Sequence, residues 1–190
     1  YIVSSQRGQS PAGNDADIVL YRSSNNGVNW SSGIRVNQDA LNNGKVQFFP
    51  ALCVDDGGIL HVAYYDNRAF ASTGDSCSVF LSSSLDGGNT WTEAEIADHH
   101  FKPKTALNFT GGFFGDYIGI APSQGRVVVT WMDDKGGTPG FYNAWSGAFQ
   151  AVTYPLNSFS LRNPAAGATI VSLASSPQNV TIEWDTSAST

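Results

Sequence analysis

A chain of 190 residues with only 14 per cent charged side chains and a net charge of -6 is long enough to bury a core. Its ten Lys and Arg are scattered, with no basic run to neutralise phosphates, which excludes nucleic acid as an expected partner. No apolar stretch approaches the roughly 18 residues that a membrane-spanning helix needs.

The chain opens on three predicted strands, at 1–5, 17–23 and 30–37. Between the last two stands Ser23-Ser24-Asn25-Asn26-Gly27-Val28-Asn29-Trp30. A second set follows at 49–54, 59–66, 78–84 and 91–97, with the turn Asp55-Asp56-Gly57-Gly58 after its first member. Its last two strands enclose Ser84-Leu85-Asp86-Gly87-Gly88-Asn89-Thr90-Trp91. A third set reads as 117–121, 126–133, 140–146 and 148–154, with no Asp-type turn between its final pair. Short alternating or apolar runs dominate, and none keeps a helical period for three turns, so the chain is expected to be all-β.

The two octapeptides share Ser, Asp or Asn, Gly and Trp at identical spacing, 61 residues apart. Gly27 and Gly88 can take the positive φ of a tight turn, while Asn25 or Asp86 can accept hydrogen bonds from nearby backbone N–H groups. A second marker is an apolar run ending in a polar or acidic residue and then a cation: Arg7, Arg68 and Lys135, at intervals of 61 and 67. A repeat of that length suits one four-stranded propeller blade with generous loops. Two and a half such units cannot close a ring, and open sheet edges invite aggregation. The remaining blades are therefore expected from a longer parent chain or from other subunits.

Antiparallel alternation puts the Ser/Asp/Gly/Trp turns at one end of every sheet, with Asp55–Gly58 and Pro122–Gly125. The opposite end carries longer loops, where binding sites usually develop. After residue 154 the composition changes: 155–167 reads as a linker, and 168–190 as the start of an immunoglobulin-like or fibronectin-like β-sandwich with Trp184 in its core. Cys53 and Cys77 permit one disulfide or two buried thiols. Richness in Asn and Ser, little Lys and an acidic balance point to a secreted or cell-surface protein, its targeting sequence lying outside this segment.

Ser84-x-Asp86-x-Gly88-x-Thr90-Trp91 resembles the Asp-box, or bacterial neuraminidase repeat, and Ser23-x-Asn25-x-Gly27-x-Asn29-Trp30 is similar to a degenerate copy of it. Phe114-Gly115-Asp116-Tyr117-Ile118-Gly119-Ile120-Ala121, followed by Val129-Thr130-Trp131-Met132-Asp133, resembles the late-blade pattern of secreted bacterial sialidase-like propellers. The resemblance covers 1 to about 154. It implies a six- or seven-bladed propeller whose Asp-boxes lie opposite the active site. Sialidases use three arginines, a Tyr nucleophile activated by a Glu, and an Asp acid. On the loop face this chain offers only Arg7 and Arg68, its Glu93 and Glu95 fall on an outer strand, and no Glu is placed to activate Tyr117.

The ligand-binding candidates are Arg7, Asp66, Arg68, Asp116, Tyr117 and Asp133, all at the loop end. For Asp66, Arg68 and Asp133 the structural alternative is an ion pair between sheets, because they recur in successive units. For Asp116-Tyr117 it is backbone capping and a packed ring. His99-His100 suits a solvated loop better than a metal site, which prefers separated histidines, and no metal or cofactor is expected. The expected function is binding or adhesion, to a glycan or a surface protein, without catalysis by this segment. The alternatives are an exo-sialidase or related glycoside hydrolase completed by other blades, and a structural scaffold.

Overall fold

The computed structural model describes residues 1–69, 76–101, 115, 117–133 and 143–150, and the backbone alone of 104–105 and 112–113. By its internal contacts the chain divides into Tyr1–Thr153 and Tyr154–Thr190, and every described residue lies in the first unit. The expected linker at 155–167 and sandwich start at 168–190 lie outside the described residues.

The fold is all-β, with no helix among the described residues. A first sheet joins β1 (Ile2–Gln6), β2 (Asp17–Tyr21) and β3 (Ile34–Arg35). A central sheet joins β4 (Gln47–Val54), β5 (Leu60–Asp66), β6 (Ser78–Ser84) and β7 (Thr92–Glu95). The short pair β8 (Lys104–Thr105) and β9 (Gly112–Phe113) follows, and then a last sheet of β10 (Gly119–Ser123), β11 (Arg126–Asp133) and β12 (Asn143–Gln150). Every pairing is antiparallel and in chain order, and no sheet closes on itself.

The central sheet is buried on both faces, and strand periodicity decides which residue serves which face. Leu60, Val62, Tyr64, Phe80 and Trp91 pack with Ile18, Leu20 and Val36 of the first sheet's region. Ala63, Tyr65, Val79 and Leu81 pack with Val127, Val129 and Trp131 of the last sheet. Both cores therefore pass through β5 and β6, whose residues are all buried. Tyr65 also pins the last sheet by hydrogen bonds: its hydroxyl accepts from Met132 N at 3.0 Å and donates to the Met132 carbonyl at 3.3 Å.

Several expected details differ. The break expected between 146 and 148 does not occur, because β12 runs unbroken from Asn143 to Gln150 against β11. Trp145, Gly147 and Phe149 keep one face by strict alternation, and Gly147 has no room for a β-carbon, which would lie 2.5 Å from the Phe149 ring. The glycine is strand interior, not a turn. The strand expected at 30–37 shrinks to Ile34–Arg35 because side chains replace its ladder partners. Ser31 Oγ accepts from Arg22 N at 3.0 Å, and Asn37 Oδ1 accepts from Ile18 N at 2.8 Å.

The repeat also has two registers. Val3 pairs with Leu20 and Ala63 with Leu81, so β1 and β5 correspond at an interval of 60 while β2 and β6 correspond at 61. Gln6 is therefore the counterpart of Asp66, and Arg7 falls level with Asn67, one residue short of the Arg68 that the 61-residue interval matched with it.

β4 carries a bulge between Phe48 and Ala51. Pro50 has no N–H for a ladder, and Phe49 lies at φ 51°, a left-handed backbone that bulky residues rarely adopt. The Phe49 ring packs edge-on against Phe48 and Tyr65.

No bridge joins Cys53 and Cys77. Cys53 faces His61 across the β4–β5 ladder, whereas Cys77 adjoins Ser78, which pairs with Asp66. Five residues of strand, roughly 16 Å, separate those positions, and a disulfide needs Cα atoms within about 7 Å. Burial raises the Cys53 thiol to about 11, and the nearby Asp55 charge adds to the effect.

Candidate functional site

Two ends of the sheets carry distinct chemistry. At the turn end, Ser84–Trp91 is built by its own side chains. Gly88 N donates to Ser84 Oγ at 2.7 Å, and that hydroxyl donates to Asp86 Oδ1 at 2.8 Å. Asp86 Oδ1 also accepts from Asn89 N and Thr90 N, both at 2.9 Å, and Oδ2 accepts from Thr90 Oγ1 at 2.7 Å. These bonds, led by Thr90 N–H and followed by the hydroxyls of Thr90 and Ser84, hold the carboxyl well below its ordinary pKa.

Ser23–Trp30 repeats three of these bonds. Gly27 N donates to Ser23 Oγ at 2.9 Å, Ser23 Oγ donates to Asn25 Oδ1 at 3.0 Å, and Asn29 N donates to the same oxygen at 2.8 Å. Gly27 and Gly88 lie at φ 82° and 92°, as their positions in the turn require. The indoles differ: Trp30 Nε1 donates to Gly27 O at 3.1 Å, whereas Trp91 Nε1 is buried without a partner among the described residues.

Beside the Asp55 turn lies a feature the spacing did not reveal. His61, fully buried, has Nδ1 2.8 Å from Ser83 Oγ and Nε2 3.4 Å from Asp55 Oδ2. The order Ser, His, Asp is that of a nucleophile with its base and orienting acid. Here the serine is buried near the end of β6, and Asp55 Oδ1 is already engaged by Gly57 N and Ile59 N. Burial holds the imidazole below its usual pKa, with Asp55 opposing, so the ring braces the turn in its neutral form.

The loop end is denser. Asp17, Asp66 and Asp133 are buried there, one at the loop-end terminus of a strand in each sheet. Asp17 Oδ1 accepts from Arg35 Nε at 2.6 Å and from Asn37 Nδ2 at 2.8 Å. Arg35 and Asn37 reach on to Asp39 Oδ1 at 2.9 and 2.7 Å, and Asn43 donates to Asp39 Oδ2 at 2.7 Å. Burial works to raise the Asp39 carboxyl, but the amides of Asn37 and Asn43 and the charges of Arg68 and Arg35 prevail and lower it.

Arg68 is the hub. Nε donates to Asp66 Oδ2 at 2.8 Å, Nη2 to Glu93 Oε2 at 3.1 Å, and Nη1 bonds Glu93 Oε1. Its guanidinium carbon stands 4.3 Å from the Phe80 ring centroid, a cation–π contact. Burial opposes the charge, but Glu93 and Asp66 outweigh it and raise the Arg68 pKa. Asp66 moves the other way: burial raises its carboxyl more than Arg68 lowers it. Tyr64 completes the group, donating to Glu93 Oε2 at 2.8 Å with Ser82 Oγ 2.9 Å away. Burial and then the Glu93 charge raise that phenol well above its ordinary pKa.

No family model matches this chain, and neither does any curated protein.

Of the candidates, the structure brings together Asp66 and Arg68, each engaged by the other. Asp133 is buried elsewhere, accepting from Trp131 Nε1 at 3.0 Å with His99 Nε2 3.6 Å from its other oxygen. Arg7 is exposed and makes no described bond to this group, and Tyr117 is 84 per cent exposed. Asp116 lies outside the described residues. His99 stacks obliquely on Phe101, while His100 pairs with Glu95 at 2.8 Å. Among the described residues no His, Cys, Asp and Glu cluster is arranged to hold a metal ion, and no helix is long and apolar enough to cross a membrane.

Sequence reasoning missed Glu93, Tyr64, Arg35, Asp17, Asn37 and Asp39. Glu93 does lie on the outer strand, but its side chain folds inward to Arg68, a reach that spacing along the chain does not encode.

Proposed function

We propose that this chain is a segment of a sialidase-like Asp-box β-propeller, secreted or held at the cell surface, that binds a glycan or a surface protein. Its three consecutive antiparallel sheets, stacked face to face, are read as successive blades, and the duplicated Ser/Asx/Gly/Trp turn as the Asp-box. Remaining blades come from a longer parent chain or from other subunits.

One observation carries binding over hydrolysis: Arg68, the cation best placed to take an anionic sugar, is half-buried and already held by Asp66 and Glu93. Among the described residues, the loop end offers to solvent Arg7, a cation with no described partner, and the open ring of Tyr117. A charge and an aromatic surface recognise ligands without bond cleavage.

The hydrolase reading has one observation in its favour, the hydrogen-bonded Tyr64 and Glu93 beside an arginine. Tyr64 is fully buried and its phenol is raised well above its usual pKa, so it has neither the access nor the ionisation of a nucleophile. A scaffold role is the third reading.

The test is a glycan array and a fluorogenic sialoside assay on the intact native protein, with Arg7→Ala and Tyr117→Ala. Glycan capture weakened at least about tenfold by either variant, roughly 1.4 kcal/mol, with an unchanged unfolding curve supports binding. Sialoside turnover that Arg7→Ala abolishes would sink the binding-only view. A blank array with a co-purifying protein partner favours the scaffold. Arg68→Ala is unsuitable as the probe, because removing one partner of a buried charge group costs about 3–5 kcal/mol of stability.

A further inference from the structure

The loop end of the first sheet carries a hollow that none of the candidate residues lines. Two loops, 7–16 between β1 and β2 and 36–46 between β3 and β4, enclose about 260 Å³. Every residue lining that space is uncharged, and Ser10, Pro11, Asn14, Leu41 and Asn42 supply most of its side chains.

Loops are ordinarily the mobile part of a fold, but these two are tied to each other and to the buried end of β2. Asn14 N donates to Asn42 Oδ1 at 2.7 Å, and Gly13 N donates to Asp17 Oδ2 at 2.7 Å. Asp15 Oδ2 accepts from Gly44 N at 2.6 Å and from Lys45 N at 3.1 Å. The loops approach so closely that a β-carbon at Gly13 would lie 2.7 Å from Asn42 Oδ1. The walls are thus set before any ligand arrives, and little ordering remains to oppose binding.

The ties consume backbone N–H groups and a single Asn42 oxygen. Left without a bond among the described residues are the Ser10 hydroxyl, the Asn14 carboxamide and Asn42 Nδ2. A carboxamide sets donor and acceptor side by side, which complements two adjacent hydroxyls of a sugar ring. Leu41, 48 per cent exposed, and the half-buried Pro11 add apolar surface for the ring's C–H face. An anion would find no opposite charge in the lining, and an apolar ligand would strand the amides. The volume lies below the roughly 300–1,000 Å³ of sites for drug-sized ligands, which suits one ring.

We propose that this hollow holds one neutral pyranose residue, with Asn14 and Asn42 bonding its hydroxyls and Leu41 and Pro11 lying against its ring. This rests on the glycan-binding reading of the loop end and narrows it, giving the recognised glycan a neutral sugar besides whatever Arg7 and Tyr117 take.

Saturation-transfer NMR on the intact native protein tests it, with the methyl glycosides of glucose, galactose, mannose and N-acetylglucosamine as probes. At least one should receive saturation at millimolar concentration, and Asn14→Ala should weaken its binding about three- to tenfold, as the loss of a hydrogen bond does. Asn42→Asp keeps the oxygen that receives Asn14 N and removes only the donor, so it should weaken binding similarly with an unchanged unfolding curve. No saturation of any of the four, saturation unmoved by both substitutions, or a methyl glucuronide bound more tightly than the glucoside would each overturn the assignment. Array capture that responds to Arg7→Ala and Tyr117→Ala but to neither asparagine would overturn the hollow alone and leave binding at the loop end standing. A blank array with no saturation transfer would overturn both.

Discussion

The turns Ser23–Trp30 and Ser84–Trp91 share a hydrogen-bond skeleton and differ in their surroundings. One is bare, with an exposed indole; the other lies under Leu20 and Arg22, with its indole buried. The skeleton forms in both, so the local residues suffice to shape it. What the neighbouring sheet adds is burial, and with it an intolerance of change. The pair is an internal control, one turn measuring local chemistry and the other local chemistry plus packing.

The largest expected effect that would break the comparison is at the tryptophans. Trp91→Ala should cost about 3–5 kcal/mol, the usual range for emptying a core aromatic site, while Trp30→Ala should cost about 1 kcal/mol or less. Urea unfolding of both variants checks this, and equal losses would show that the two indoles do the same job.

Next come the glycines. Gly27→Ala should cost about 1–2 kcal/mol, from left-handed backbone strain alone. Gly88→Ala should add about 1–3 kcal/mol to that figure, because its β-carbon collides with Leu20. Leu20→Ala in the Gly88→Ala background should then recover part of the loss, and a thermal-unfolding double-mutant cycle without that coupling would contradict the contact.

A smaller difference is expected at the serines, whose hydroxyls each bridge a glycine N–H and an Asx oxygen. Ser84→Ala should cost about 1–3 kcal/mol because its amide partner is buried, and Ser23→Ala about 0.5 kcal/mol because water replaces the bond. Hydrogen exchange at Gly88 N and Gly27 N resolves the two.

The smallest effect is in acid. Asp86 has its pKa depressed by folding, so the stability it contributes is complete above about pH 4 and drains away as pH falls toward the folded value. Asn25 cannot titrate, so its turn should not respond. NMR shifts of Thr90 N–H against Asn29 N–H between about pH 5 and pH 1 should show movement only in the first. The swaps Asp86→Asn and Asn25→Asp should exchange the behaviour.

The all-β class, the three runs of strands and both turns were legible because their signals are local: alternation marks a strand, and Ser, Asx and Gly at fixed spacing spell out specific hydrogen bonds. Gly147 misled because a Ser-Gly pair between aromatic residues reads as a turn, whereas here the glycine makes room for Phe149 within one strand. Arg7 misled because its interval matched that of the turns, although pairing in β1 runs one residue out of step. The Arg68 group escaped notice because Glu93, Tyr64 and Arg68 meet across three strands, and no one-dimensional spacing predicts how far a side chain folds back.

The bulge in β4 restricts how such a molecule can grow. β4 is an edge strand, and an unbroken edge offers its row of N–H and C=O groups to any stray strand of suitable length. Pro50 removes one of those donors, and the left-handed Phe49 bends the strand away from the straight template that recruitment requires. Edge-to-edge pairing is interrupted there, so this edge is closed to recruitment by its own backbone.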